Sequence, residues 1–363
     1  MKRGMNTDGD QFSPDGEDAW GQFGTSEEEI KQFAERTKSL IKVFGVGGGG
    51  SNTVTRLFSK HIQGIDLIAL NTDARHLRKT KAHNKILLGE NLTRGLGSGG
   101  DPRVGEASAM ESEQEIVNYA RGTEIAFVTT TLGGGTGTGA SPVVCRMLKE
   151  HGALTIAIAT MPFEMEGKNK RKVALIGLRK LKEAADSVII IPNDKLEEVA
   201  KDLPLEKGFQ IVDEIAAKAV MAVTEIVTKT GFMNLDFNDL REVITNSKEA
   251  MIGIGISDAA HGTRHLEALK QAIDSPFLDV DLSTSTGVIV NVTGGDDMDV
   301  QEAPSVVEEV KKLVAKGARI KLGTRLDDAL RGKVQVMLVV GGVNSRIAKG
   351  RDDSSGDEID YIS

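Results

Sequence analysis

Seven residues, Gly133-Gly134-Gly135-Thr136-Gly137-Thr138-Gly139, confine this chain to a narrow set of folds. Five glycines in seven positions admit a close backbone approach and leave N–H groups pointing outward, while the two threonines add hydroxyl donors. The run follows an apolar stretch, 125–131, that reads as a strand, and precedes 140–150, which reads as a helix. A strand, a glycine turn and a helix N-terminus make an anion site, because free N–H groups and the helix dipole both favour phosphate. A flexible linker is the alternative, but linkers are serine-rich and do not sit between an apolar strand and an apolar helix.

The same unit recurs along the chain. Residues 41–46 read as a strand, Gly47–Gly50 as a turn, and the segment to Lys60 as a helix. The next strand, 66–70, ends in Asn71-Thr72-Asp73, and a glycine-rich loop from Gly95 to Gly105 leads to a helix through about Ala120. Strand 154–160, helix 169–185 and strand 187–191 continue the alternation. Alternating strands and helices predict a Rossmann-like, doubly wound parallel sheet with ligands at the carboxyl ends of its strands. Residues 206–230 read as one long helix that is apolar nearly all round, hence buried between two bodies. Strands 249–256, 285–293, 318–322 and 334–340 with helices 259–273 and 303–316 make a second α/β (α+β) domain without phosphate-type loops.

Bulk properties exclude several classes. The chain has 363 residues, enough for two domains, and its 39% hydrophobic and 27% charged residues suit a soluble globular protein. A net charge of −8 and 4% aromatics argue against nucleic acid as a partner. The longest apolar stretch, 336–343, is far too short to insert into a membrane, and the polar N-terminus is not a signal peptide. The lone cysteine, Cys145, excludes a disulfide framework, fits a reducing cytoplasm and is expected to be buried.

Two rival readings concern specific residues. Gly45, Gly47 and Gly50 form G-x-G-x-x-G between a strand and a helix, with Asp73 at the end of the next strand, so an NAD(P)-binding Rossmann oxidoreductase is an alternative. Against it stand the further glycine loops at 95–100 and 133–139, which suit a triphosphate held from several sides, and the lack of a hydride-transfer partner site. His261 and His265 have the spacing of a metal pair on a helix, but no third ligand accompanies them and Gly262 loosens the turn, so a solvated helix start and no metal are expected. Asp236 and Asp239, taken alone, read as a helix cap and a charge at its positive end.

The 133–139 run is also the signature of the tubulin and FtsZ superfamily, and from Ile41 to Arg346 the chain resembles its FtsZ branch of prokaryotic cell-division GTPases, of archaeal type. The motifs arrive in that family's order: 45–52, 71–74, 95–100, the signature, Pro162-Phe163 through Lys168, 191–196, Asn234 to Phe237, and Ser275-Pro276. By composition 1–25 reads as disordered, 26–38 as a short polar helix with Ser26 at its N-cap, and 347–363 as an acidic disordered tail. The resemblance implies, between the 1–38 extension and that tail, a GTP-binding domain over 39–205, a central core helix over 206–230 and a C-terminal GTPase-activating domain over 231–346. It implies GTP and GDP as ligands with Mg²⁺. Gly47, Gly48, Gly49, Gly50, Ser51 and Asn52 would form the first nucleotide loop. Asn71, Asp73, Gly97 and Gly99 would join them, with the signature as the phosphate cradle. Glu166 would contact the ribose, and Asn193 and Asp213 would read guanine. Asn234, Asp236 and Asp239 would act on the nucleotide of the next subunit in a head-to-tail filament. Two positions depart from the family: Lys170, followed by Arg171, stands where Arg is usual, and Asp101 precedes Pro102 where Asn is usual. The terminal Ile359-Asp360-Tyr361-Ile362 would bind membrane-anchoring division proteins, and the protein would be cytoplasmic, at a midcell ring.

Overall fold

Valine, isoleucine and alanine dominate the strands, and the central ones are buried along their whole length, the pattern of a parallel sheet covered by helices on both faces. The computed structural model describes residues 41–62, 64–193, 205–228, 240–242, 249–275, 278 and 280–342. The expected extension 1–38, the Asn234, Asp236 and Asp239 segment, and the tail 347–363 lie outside the described residues.

In chain order the elements are β1 (Ile41–Val46), α1 (Gly47–Ser59), β2 (Ile65–Asn71), α2 (Ala74–Lys79), β3 (Asn84–Leu87), α3 (Glu90–Thr93), α4 (Pro102–Glu111), α5 (Glu113–Ala120), β4 (Ile125–Thr131), α6 (Gly135–Glu150), β5 (Leu154–Thr160), α7 (Lys168–Ala184), β6 (Ser187–Ile191), α8 (Leu205–Thr228), β7 (Glu249–Ser257), α9 (Arg264–Ile273), β8 (Gly287–Gly294), α10 (Glu302–Leu313), β9 (Arg319–Leu326) and β10 (Val334–Gly341). Short 3-10 turns include Glu164–Glu166.

The strands form one ten-stranded sheet in the order β3-β2-β1-β4-β5-β6-β7-β10-β8-β9. The first six run parallel, with the order reversing between β1 and β4. Their carboxyl ends are level: Val46 lies opposite Leu70 and Thr130, and Thr131 opposite Thr160. That reversal is the switch point at which such sheets open a crevice for a ligand. Among the described residues β6 meets β7 through two residue pairs, Val188 with Glu249 and Ile189 with Ala250. Beyond that seam β10 runs antiparallel to β7 and β8, and β9 parallel to β8.

One face of the sheet is covered by α1 and α8. Ala216, Ala219, Val220 and Val223 of α8 share a core with Ile156 and Ile189 and also with Ile252 and Met337 across the seam. The other face buries α4 to α7 against β1 to β6, and α9 and α10 against β7 to β10. Cys145 lies fully buried in the former layer, and burial pushes its thiol far up, so it is an inert packing residue.

Several elements differ from the sequence-based expectation. Both glycine runs taken for turns are mostly the first turns of α1 and α6. The expected helix through Ala120 breaks at Ser112, whose hydroxyl accepts the Gly89 N–H at 3.1 Å. The solvated helix start assigned to His261 and His265 is corrected. Arg264, fully buried, donates to Glu302 (2.7 and 2.9 Å) and Asp297 (2.5 Å), and His265 is buried with Nδ1 3.7 Å from Glu302. Only His261 is exposed. An Arg between the two histidines is invisible to a search for metal spacing, yet its carboxylate partners decide how the helix packs.

Candidate nucleotide site

Two helices begin side by side at the switch point. α1 starts directly after β1 with Val46 at the N-cap, and α6 starts after β4 with Gly134 at the N-cap. Neither cap offers a side-chain acceptor, and neither first turn contains an acid. Their first-turn N–H groups therefore lack both intrahelical and side-chain partners, and each end carries roughly half a positive charge. Gly47 brings them together: it adopts φ +75°, and a Cβ there would fall 2.9 Å from the Gly137 nitrogen. By contrast α2 and α4 are capped by the carboxylates of Asp73 and Asp101.

The loop 95–100 closes against this pair through buried hydroxyls. Thr136 Oγ1 lies 2.7 Å from Thr72 Oγ1 and 3.0 Å from Ser98 Oγ, and the Gly97 N–H reaches the Thr72 carbonyl at 3.1 Å. Thr138 Oγ1 accepts the Gly133 N–H at 2.9 Å. The threonine hydroxyls expected to face a ligand thus shape the loop from inside, and backbone N–H groups are the donors the turn offers. Thr72 and Ser98 lie within motifs the sequence displays but were not singled out as site residues, since a lone Thr or Ser carries no spacing signal. Around the cradle, a Cβ on Gly48, Gly99, Gly100 or Gly134 would meet nothing within 4 Å.

Asp101 does not confront a phosphate with a free charge. Arg103 grips it through two nitrogens at 2.7 and 3.1 Å, and that bond first, then the Arg103 N–H, holds its carboxyl below the usual range. Asp73 accepts from the N–H groups of His76 and Arg75, with the His76 bond the main cause of its lowered pKa. Asn71 supports it by accepting the Asp73 N–H at 3.2 Å.

Glu166 and Lys170 meet beside the signature. Glu166 accepts the Phe163 N–H at 2.9 Å and the Lys170 ammonium at 3.0 Å. The Lys170 carbonyl would lie 3.1 Å from a Cβ on Gly133, so the start of α7 abuts the cradle. Phe163 packs on Ile211 and Ile215, which links this turn to α8.

Two further polar side chains are Asp213, on α8 against α1, and Asn193, just past β6. The Asp213 side chain, 16% exposed, is bonded by Asn52 and lies 3.9 Å from Arg56 Nε. Burial pushes its pKa up to about 6 against the opposing pull of Arg56 and Asn52. Asn193, two residues past β6, is 2% exposed, and its Oδ1 has no hydrogen-bond partner among the described residues. A buried amide oxygen without a partner is costly unless a ligand supplies the donor. Ser51, in the first half of α1, is buried, and its Oγ likewise has no hydrogen-bond partner among the described residues. The donor set therefore fits a ligand with phosphates at one end and hydrogen-bond donors at the other, the chemistry of guanine N1 and N2. Arg56 was not singled out in the sequence, although it lies four residues after Asn52 on the same helix face.

Comparison with known proteins agrees with this geometry. The model of the tubulin/FtsZ family GTPase domain matches residues 40–201, and that of the FtsZ family C-terminal domain matches 248–344. Cell division protein FtsZ 1 of Pyrococcus abyssi is 48% identical over 88% of this chain and 85% of its own. Cell division protein FtsZ 1 of Archaeoglobus fulgidus is 48% identical over 91% and 89%. A solved M. jannaschii FtsZ dimer superimposes with a TM-score of 0.82 at 44% identity, covering 88% of this chain and 93% of that one. A Haloferax volcanii CetZ2 protofilament with GTPgS shares the fold, with a TM-score of 0.75 at 20% identity over 86% and 96%. These findings overturn the oxidoreductase alternative. Its fingerprint has another physical origin: Gly45 and Gly50 lack side chains because β1 and α1 touch there, and the Asp73 carboxylate caps α2.

Proposed function

The chain belongs to the FtsZ family of tubulin-like GTPases, and on that premise we propose that it assembles head to tail into filaments and hydrolyses GTP where subunits meet, forming a midcell division ring. The observation that carries this reading is the pair of uncapped helix N-termini at the β1/β4 switch point, together with Asp213 and Asn193.

Each part of the site has a role in that reaction. The first-turn N–H groups of α1 and α6, with Gly97 and Gly99 nearby, take up phosphate charge that grows in the transition state. The Lys170 ammonium adds a point charge beside them. Bound Mg²⁺ supplies further charge neutralisation on the phosphate oxygens. Asn193 and Asp213 fix the base. No helix among the described residues is long and apolar enough to cross a membrane. Membrane attachment would fall to partners that bind the terminal Ile359-Asp360-Tyr361-Ile362.

The water is activated in trans. α8 has 24 residues and spans about 36 Å, with Asp213 in its first half. The chain after Thr228 leaves from its far end, which favours Asn234, Asp236 and Asp239 serving the neighbour's nucleotide. Exposed apolar side chains rim the crevice where that neighbour would dock: Leu96 is 75% and Met165 66% exposed. Asp239→Ala is expected to bind GTP, lose turnover and poison wild-type protein in mixtures. Turnover per molecule is expected to rise with concentration. Full specific activity in protein diluted below its assembly threshold would sink the shared site.

A further inference from the structure

Resting on the reading of Asp213 as the guanine contact, we propose that Arg56 is a positioning residue for guanine recognition, holding the Asp213 carboxylate in the charge state and orientation that guanine requires. Arg56 lies two and a half turns into α1, the helix whose N-terminus forms half of the phosphate cradle. Its guanidinium reaches two carboxylates on α8, Asp213 at 3.9 Å and Glu214 at 3.6 Å. Lys60, one turn further on, takes Glu214 at 2.8 Å. Asn52, one turn earlier, bonds Asp213. Two side chains on one face of α1 and a third from its C-cap, Lys60, therefore grip two adjacent acids on α8.

The grip is needed because Asp213 stands in the wrong surroundings for a charge. It is largely buried, and burial favours its proton, yet a protonated carboxyl accepts poorly from guanine N1–H and N2–H. Of the groups facing it, Arg56 is the cation whose pull favours the ionised form, and Asn52 adds a neutral donor. Glu214 beside it is a like charge, which Lys60 and Arg56 offset. Remove Arg56 and Asp213 keeps its burial and its acidic neighbour but loses its counter-charge. The carboxylate would then take up a proton at higher pH and would be free to turn from the base. Arg56 itself is about a third exposed and need not touch the nucleotide, so its effect passes through Asp213.

The test uses the full chain, stripped of nucleotide, with GDP and inosine diphosphate titrated calorimetrically between pH 5.5 and 8.5. Arg56→Gln is expected to weaken GDP at pH 7 roughly fivefold, the scale of a half-exposed ion pair, and to move the acid limb of the affinity profile to higher pH. Inosine lacks the second donor, so the preference for GDP over inosine diphosphate should shrink in the same variant. Arg56→Lys should restore part of both effects. Thermal melts of the nucleotide-free variants report whether packing alone has changed. An Arg56→Gln profile with unchanged midpoint and unchanged inosine discrimination overturns the proposal, whether or not affinity falls. Asp213→Asn is measured alongside. If it binds GDP as wild type does, the base contact itself is wrong; if it fails while Arg56→Gln matches wild type, only the positioning role falls.

Discussion

Asp213 answers two opposed demands. On the proposed reading guanine needs it ionised, while burial raises its pKa from 3.8 to about 6. In the unfolded chain the group ionises at the lower value, so the penalty of charging it in the fold is absent below pH 3.8. The penalty grows between 3.8 and 6 and is complete above 6, reaching roughly 3 kcal/mol. Asp213→Asn should therefore raise the melting temperature of the nucleotide-free protein at pH 8 and leave it little changed at pH 4. The same variant should lose about 1.5–3 kcal/mol of GDP affinity, read by calorimetry, as a charged hydrogen bond goes. In the wild type, GDP affinity should fall as pH drops through about 6. A variant that is both more stable and a weaker binder would mark this residue as kept for recognition. At this scale the sequence showed identity better than circumstance. Asn193 and Asp213 could be named from motifs. The missing partner of Asn193 Oδ1 and the hydroxyls that hold Thr136 depend on side chains distant in the chain.

Helix α1 couples the cradle to Asp213, and its glycines divide into two kinds. A Cβ on Gly49 would run into the Thr131 side chain, so that position serves packing. A Cβ on Gly48 would meet nothing in the protein, so that position serves whatever fills the cradle. Gly48→Ala is expected to stabilise the empty protein by up to about 1 kcal/mol through helix propensity and to weaken nucleotide binding, both measurable by melts with and without GDP. Elsewhere the tightest joint is Arg264, which ties α9 to α10 and, through Asp297, to the turn at Gly332. Arg264→Met strands the buried Glu302 carboxylate and should cost about 3–5 kcal/mol, seen as faster hydrogen exchange in β8 and β10. Strands and long helices were legible because hydrophobic periodicity marks them. β3, α2 and α3 were not, being four to six residues long and too short for a period to show. The start of α9 was misplaced because Gly262, at φ +92°, turns the chain just before it.

For the whole molecule, the alternation of strands and helices foretold the parallel half, including the edge on which the glycine turns gather. Nothing in that pattern foretold that the second half would continue the same sheet, since strand pairing across α8 is a long-range matter. Filament formation and attachment make separate predictions. Deleting 352–363 should leave GTP-driven pelleting intact and disperse the protein from division sites in cells; normal rings in the truncated strain would refute a tethering role for the tail. The seam between β6 and β7 carries a mechanical consequence. Among the described residues two residue pairs join β6 to β7 there, reinforced by an ion pair from Lys182 to Glu249, beside a gap lined by Ile189, Ile215, Ala219, Ile252 and Ile254. Among the described residues backbone pairing is thinnest at this seam, so the two halves of the sheet are held together there chiefly by the side chains of α8 and the Lys182–Glu249 pair.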